Sequence, residues 1–315
     1  MGKLSRLLKY SAFLSGGLHI VNRWIDLTSS PYVSRETSGN TYLYQNEKVI
    51  YKKIGNGADP VLLLHRVDPL MSSNIWDEFL KIADKEKYTF YVPDLPGCGK
   101  SFKRQELMTN YFYMQFLSSF IQDIIKAKPV VIGDGNIGSV CMALAANNPV
   151  LIKRLTVVDP SSVSYRISDD KYIQYKLLEK LIRIPVIGTS LYQLIYRKTE
   201  IQRIIEEEYV YDVFHVKHGL NQRLYENAHR KANYQKYIYL TSIQGLLEIN
   251  LKKFVEKISI PTYLLVGEVV HDKEDIIQEY KTINNAIQGF EIPECKYLPQ
   301  IENPEAMISI LEEME

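Results

Sequence analysis

From position 41 onward, short apolar runs alternate with longer segments whose apolar residues recur at helical spacing. The short runs predict strands at 41–44, 48–54, 61–64, 90–92, 130–132, 155–158, 262–266 and 290–292, and the longer segments predict helices at 75–84, 111–126 and 137–147. Gln45-Asn46 between the first two strands reads as a hairpin turn, so the series opens antiparallel. The near-continuous apolar strands that follow, alternating with helices, predict a mostly parallel eight-stranded α/β sheet covered by helices on both faces. Between Pro160 and Ser259 the strand pattern stops, and Tyr-, Leu-, Ile- and Lys-rich helices, clearest at 186–196 and 199–209, predict a cap inserted after the sixth strand. The expected organisation is an amino-terminal helix and linker at 1–40, a core at 41–160 and 259–315, and a cap at 161–258.

The first segment carries Lys3, Arg6 and Lys9 ahead of a moderately apolar stretch at 10–21. Gly16, Gly17 and His19 interrupt it, it is too short to span a bilayer, and no small-residue cleavage site follows, so a signal peptide fits poorly. Arg6 stands where a myristoylation signal at Gly2 requires Ser or Thr. Leu4, Leu7, Leu8, Leu14, Leu18, Val21 and Ile25 recur as on an amphipathic helix. Two readings stay open: the helix packs on its own domain, or residues 3–25 make a peripheral membrane contact through their basic flank.

Composition narrows the function classes. The 315 residues, 46% of them apolar, can fill a large core, and a net charge of +1 argues against a nucleic-acid partner. Cys98, Cys141 and Cys295 are odd in number and lack CxxC spacing, which fits a reducing, cytoplasmic compartment and neither disulfides nor zinc. His215 and His218, three apart, lack an evident third metal ligand beyond His229 or Glu226, and the run Glu206-Glu207-Glu208 reads as a solvated helix turn. No metal and no cofactor is expected.

Several blocks then appear in a telling order. Val61-Leu62-Leu63-Leu64-His65 is followed by Asp94-Leu95-Pro96-Gly97-Cys98-Gly99-Lys100-Ser101, a strand-turn-helix at 130–146, Val157-Val158-Asp159-Pro160, and Leu298-Pro299-Gln300-Ile301-Glu302-Asn303-Pro304-Glu305-Ala306. Together they resemble the α/β-hydrolase superfamily with a helical cap, over nearly all of the chain after residue 41. The resemblance implies hydrolysis of an ester- or amide-type bond in a small apolar substrate by a Ser-His-Asp triad.

The same resemblance marks three degenerate slots. The nucleophile elbow falls on Gly133-Asp134-Gly135-Asn136-Ile137-Gly138, with Gly135 in the serine position; the acid slot falls on Val270, near Glu268, His271 and Asp272; the base slot falls on Tyr297. A phenol is a poor proton acceptor at neutral pH. Oxyanion donors would come from the amide of Asn136 and from the loop at Arg66 and Val67. Arg66 either projects into the pocket as a cation for an anionic ligand or lies at the surface paired with Asp68. His65 reads as a buried hydrogen-bonded histidine or, less simply, as a catalytic one. Cys98 and Cys141 read as small buried hydrophobes.

The expected function is therefore a non-catalytic member of this fold that binds a small apolar molecule between cap and core, or a protein partner. The alternative is an enzyme with relocated groups drawn from Asp134, Arg66, His65, His271 and Tyr297. A remote alternative is dinucleotide binding through Gly133-x-Gly135-x-x-Gly138 with Asp159 on a ribose hydroxyl.

Overall fold

A computed structural model describes residues 2–29, 39–164, 168–214, 216, 219–248 and 250–314; for 2–9 and 11–12 the description is of the backbone. His215 and His218 lie outside the described residues, as does most of the linker at 30–40. Helix α1 (Gly2–Thr28) precedes strands β1 (Asn40–Tyr44), β2 (Glu47–Ile54) and β3 (Asp59–Leu64). Helix α2 (Asp77–Ile82), strand β4 (Tyr88–Pro93), helix α3 (Asn110–Phe120), strand β5 (Val130–Asp134), helix α4 (Asn136–Asn147) and strand β6 (Arg154–Val158) follow. The strands order as β1-β2-β4-β3-β5-β6, extended by β7 (Thr262–Gly267) and β8 (Gln288–Ile292) into one eight-stranded sheet. Only β1–β2 and β2–β4 pair antiparallel; the other neighbours are parallel.

Local chemistry explains the sheet's opening and its layers. Gln45 and Asn46 both take positive φ, 52° and 63°, as a two-residue hairpin turn with its strand-matched twist requires. Along β3 the pleat sends Leu62 and Leu64 to one face, against helices α3 and α4, and Val61 and Leu63 to the other, against α2 and the carboxyl-terminal helices. Those closing helices are α12 (Pro299–Glu302) and α13 (Pro304–Glu313). Both faces are covered, so the central strands carry no polar alternation.

Between β6 and β7 come the cap helices α5 (Asp169–Arg183), α6 (Ile187–Ile195), α7 (Lys198–Ile204), α8 (Leu220–His229), α9 (Ala232–Ile243) and α10 (Leu251–Val255). Helix α7 continues into a wider π turn over Ile205–Tyr209. Helix α11 (Lys273–Ile283) lies between β7 and β8, and α12 (Pro299–Glu302) and α13 (Pro304–Glu313) close the chain. The cap meets the core closely at Gly97, whose φ is +89° and where an added Cβ would overlap the Ile238 side chain of α9. No larger residue fits that junction without displacement.

Helix α1 departs from its expected packing. It reaches the cap through polar groups: Asn22 Nδ2 donates to the Val186 carbonyl at 3.1 Å, Ser190 Oγ donates to Asn22 Oδ1 at 3.0 Å, and Gln193 Nε2 donates to Asp26 Oδ1 at 3.3 Å. Leu18 and Ile25 are half-buried beside these contacts, but Leu14 and Val21, assigned by their spacing to the same apolar stripe, are exposed. No helix among the described residues is long and apolar enough to cross a membrane.

Candidate functional site

The carboxyl ends of the adjacent parallel strands β3, β5 and β6 bring Arg66, Asp134, Gly135 and Asp159 together, where ligands bind in open α/β sheets. Gly135 makes the sharp turn from β5 into α4 with φ 62° and ψ −135°, and its amide donates to the Val158 carbonyl at 2.8 Å. A Cβ built there would sit 3.1 Å from Arg66 Cβ, 3.1 Å from Nε and 3.2 Å from Cζ. The guanidinium thus fills the space into which a side chain at this turn would point.

Arg66 is held by a fork of carboxylates. Its Nε donates to Asp134 Oδ2 at 3.0 Å and its Nη2 to Asp134 Oδ1 at 2.7 Å, a bidentate pair. The same Nη2 donates to Asp159 Oδ2 at 3.1 Å and to the main-chain carbonyl of Tyr297 at 3.1 Å. The Tyr209 ring lies 5.7 Å from Arg66 Cζ. The Asp134 side chain is fully enclosed and that of Arg66 is 13% exposed, so this is a largely desolvated network. Burial opposes the charge on Arg66, but Asp134 and then Asp159 outweigh it and hold the guanidinium protonated well above its ordinary range. Burial, with the neighbouring Asp134 charge, pushes Asp159 up to about 6 against the pull of Arg66. Asp159 itself adopts a positive φ of 49°, a strained conformation that aims its carboxylate at this cluster.

Two expectations for Arg66 are corrected here. It is not paired with Asp68, whose Oδ1 instead accepts from the Leu70 amide at 2.8 Å and whose carboxyl burial pushes up to about 6. Nor is it open to an anion, because two carboxylates already neutralise it. The two aspartates lie 68 and 93 residues away in sequence, whereas Asp68 is two residues on; chain proximity favoured the wrong partner.

The oxyanion position is also occupied. The Val67 amide donates to Asn136 Oδ1 at 2.8 Å, and Asn136 Nδ2 returns a bond to the Val67 carbonyl at 3.0 Å. The Arg66 amide leans on Asp134 Oδ2 at 3.3 Å. The loop donors expected to face a substrate are therefore spent on side chains of the neighbouring turn. Asn136 closes the hole through its side chain, a role that its expected amide donation did not suggest.

Each remaining residue has a definite place. The His65 ring is buried between main-chain groups: the Leu95 amide donates to Nε2 at 3.0 Å, so Nδ1 carries the proton and donates to the Arg66 carbonyl at 2.8 Å. Burial lowers its pKa, which keeps it neutral. Tyr297 meets Arg66 through its main-chain carbonyl, its amide donates to the Tyr209 carbonyl at 3.2 Å, and its phenol lies near the same charges: burial followed by Asp159 and Asp272 raises its pKa against the pull of Arg66. Val270 is buried after β7, its amide bonded to the Gly267 carbonyl at 3.1 Å. His271 and Asp272 are exposed on the same loop, and no hydrogen bond or ion pair among the described residues joins His271 to the Arg66 cluster.

The minor candidates resolve as packing. The thiols of Cys98, Cys141 and Cys295 are buried, and desolvation pushes Cys98 up to about 12. His229 is buried against the Tyr225 ring with Nδ1 on the Tyr225 carbonyl at 2.9 Å. Among the described residues no group of three His, Cys, Asp or Glu side chains could hold a metal ion. Asp159, which dinucleotide binding would assign to a ribose, is instead engaged by Arg66. Clefts of about 360 Å³ beside Ser72–Asn74 and Asn227, and of about 300 Å³ between α1 and the cap, are lined by neither Gly135 nor Arg66.

Comparisons with known proteins agree with this architecture. No curated protein matches the chain. Among solved structures, the epoxide hydrolase CorEH superposes with a TM-score of 0.70 at 17% identity over 87% of this chain and 97% of its own. A serine hydrolase involved in carbazole degradation, CarC, gives 0.69 at 16% identity over 87% and 97%. A membrane phospholipase A gives 0.68 at 18% identity over 99% of this chain and 96% of its own. At these identities the likeness is one of fold. The family model for the α/β-hydrolase fold matches residues 59–304, and the chain belongs to that family.

Proposed function

We propose that this chain is a non-catalytic α/β-hydrolase-fold protein that acts by binding. The observation that carries this reading is the Arg66 side chain lying 3.1–3.2 Å from the missing Cβ of Gly135 and clamped by Asp134 and Asp159. A nucleophile needs a side-chain oxygen or sulfur there, a base within reach, and free amides for the developing oxyanion. Gly135 offers no such atom, the Tyr297 phenol is raised above its ordinary value and stays protonated at neutral pH, and the Val67 amide is engaged by Asn136. Two candidates for the relocated-group alternative are already committed, since both nitrogens of His65 are engaged by main-chain groups and Asp134 is locked to Arg66, and His271 lies exposed with no bond to that cluster among the described residues.

The filled centre also argues against a ligand seated directly over the elbow, so binding shifts to the outer faces of the cap and of α1. The test is a fluorophosphonate serine-hydrolase probe together with a panel of nitrophenyl esters of increasing chain length, applied to the full chain. The expected result is no covalent labelling and no turnover above buffer. Stoichiometric labelling of a residue near Gly135, or ester turnover abolished by Asp134→Asn, overturns the reading. A titration with NADH read by its fluorescence is expected to show no saturable binding.

A further inference from the structure

Helix α1 meets the cap with a mixed side, on which Leu18 and Ile25 are half-buried beside Asn22 and Asp26, and leaves most of its large apolar residues exposed. Its contacts with the cap run through Asn22, Asp26 and the Val186 carbonyl, while Tyr10, Phe13, Leu14, Ile20, Val21, Trp24 and Leu27 are between 50% and 84% exposed. At about 100° per residue those positions fall within one sector of about 140° around the helix, interrupted at Gly17. Among the described residues nothing lies within 4 Å of a Cβ built at Gly16 or Gly17, so this part of the helix stands clear of the other described elements. An isolated helix of this kind is marginal in water, and an apolar face of this extent marks an interaction site.

The exposed surface continues onto the cap at the docking point. Ile187 and Leu194, which flank the Ser190 and Gln193 contacts with Asn22, are 43% and 57% exposed. Helix α5 leads into the same junction and leaves Ile173, Leu177 and Leu181 exposed at i, i+4 and i+8, with Ile184 just beyond its end. Charge decides the occupant. Residues 2–25 contain Lys3, Arg6, Lys9 and Arg23 and no Asp or Glu. A basic, aromatic-bearing helix too polar to cross a bilayer suits the headgroup region of an anionic membrane.

We infer that α1 and the adjoining α5–α6 face of the cap form a docking surface for an anionic lipid membrane, with α1 lying in the interface plane. This names the partner for the binding reading above, and it stands or falls separately, because vesicle association is measured without reference to turnover.

The experiment is co-sedimentation of the full chain with vesicles of phosphatidylcholine alone or mixed with phosphatidylglycerol, alongside tryptophan fluorescence. Trp76 is fully buried, so a spectral change on binding reports Trp24. The expected result is saturable binding to the anionic vesicles with a blue-shifted Trp24 emission, and little binding to phosphatidylcholine. Neutralising Lys3, Arg6 and Lys9 to Gln is expected to weaken it by about tenfold or more. Phe13→Ser/Leu14→Ser, at exposed positions, is expected to abolish binding with the thermal midpoint unchanged. Failure to bind anionic vesicles, or undiminished binding by the Phe13→Ser/Leu14→Ser variant, overturns the inference. So does a dimer in sedimentation that this variant dissolves without any lipid association, since a second copy then covers the face.

Discussion

The guanidinium of Arg66 sits directly over Gly135, with Nε 3.1 Å from where that residue's Cβ would be. Glycine at the turn and arginine above it are two halves of one arrangement: the first leaves the space that the second fills. Gly135→Ser is therefore expected to destabilise the fold by about 1–3 kcal/mol, from the positive φ and from crowding against Arg66. Thermal unfolding and a nitrophenyl ester assay check it, with no turnover expected. Ester hydrolysis by this single variant would mean that a base has been overlooked; adding Val270→Asp and Tyr297→His addresses the two other degenerate slots together.

Removing the cation is a harsher change than removing the glycine. Arg66→Met leaves the enclosed Asp134 and the neighbouring Asp159 without their counter-charge, and a loss of about 3–5 kcal/mol is expected. Arg66→Lys recovers only part of this, because an ammonium cannot reproduce the two parallel bonds to Asp134. Denaturant unfolding at pH 7 measures both; equal stability of Arg66→Met and the parent chain would show that the cluster contributes nothing.

Acidity moves the whole fold in a direction set by its buried groups. Burial pushes Asp26, Asp68 and Asp159 up to about 6, each from an ordinary value of 3.8. A carboxyl whose folded pKa is raised costs stability once ionised, and that cost disappears as pH falls through 6 toward the unfolded value. His229 acts oppositely: burial lowers it to about 4, so stability is lost as pH falls from 6.5 toward 4, where the unfolded chain binds the proton and the folded chain does not. Lys103, which burial lowers to about 8, contributes pH dependence only above that. Burial also pushes Glu248 up to about 7, so four raised carboxyls outweigh the lowered His229 and His65 in this window; the thermal midpoint is expected to fall as pH rises from 4 to 7, and a peak near 6 would contradict this assignment.

The junction of cap and core gives a steric prediction. Gly97→Ala is expected to cost about 2–4 kcal/mol, from its φ of +89° and the clash with Ile238. In an Ile238→Ala background the added cost is expected to shrink, and a double-mutant cycle on unfolding free energies reads the coupling. Strict additivity would mean that the cap shifts aside freely.

How much of this was written in the chain depends on the distance between the interacting residues. The strands were legible because each signal is local: Leu62 to Leu64 and Val130 to Ile132 are unbroken apolar runs, and the structure lengthens the expected segments by a residue or two at their ends. The turn at Gln45-Asn46 was legible for the same reason. Whether Gly135 and Tyr297 stand in triad slots was read from neighbouring blocks, yet nothing in those blocks indicated that Tyr297 would offer its carbonyl. The partners of Arg66 could not be read, since a residue in the loop after β3 meets the ends of β5 and β6 only after the sheet has formed. Helix α1 misled for a different reason. Periodicity reports that a helix has faces, but the side that docks here pairs Leu18 and Ile25 with the polar Asn22 and Asp26 and leaves Leu14 and Val21 of the expected stripe exposed.

The bond from the Val67 amide to Asn136 sets an order in which a reactive serine could be installed at this turn. A chain that acquired a serine first would bear a crowded turn and a weaker fold, with the cradle for a reacting carbonyl still stoppered. Position 136 has to surrender its grip on the loop, and position 66 has to shrink, before a hydroxyl at 135 is worth having. Installing a serine at 135 one substitution at a time therefore passes first through a less stable chain whose carbonyl cradle is still blocked.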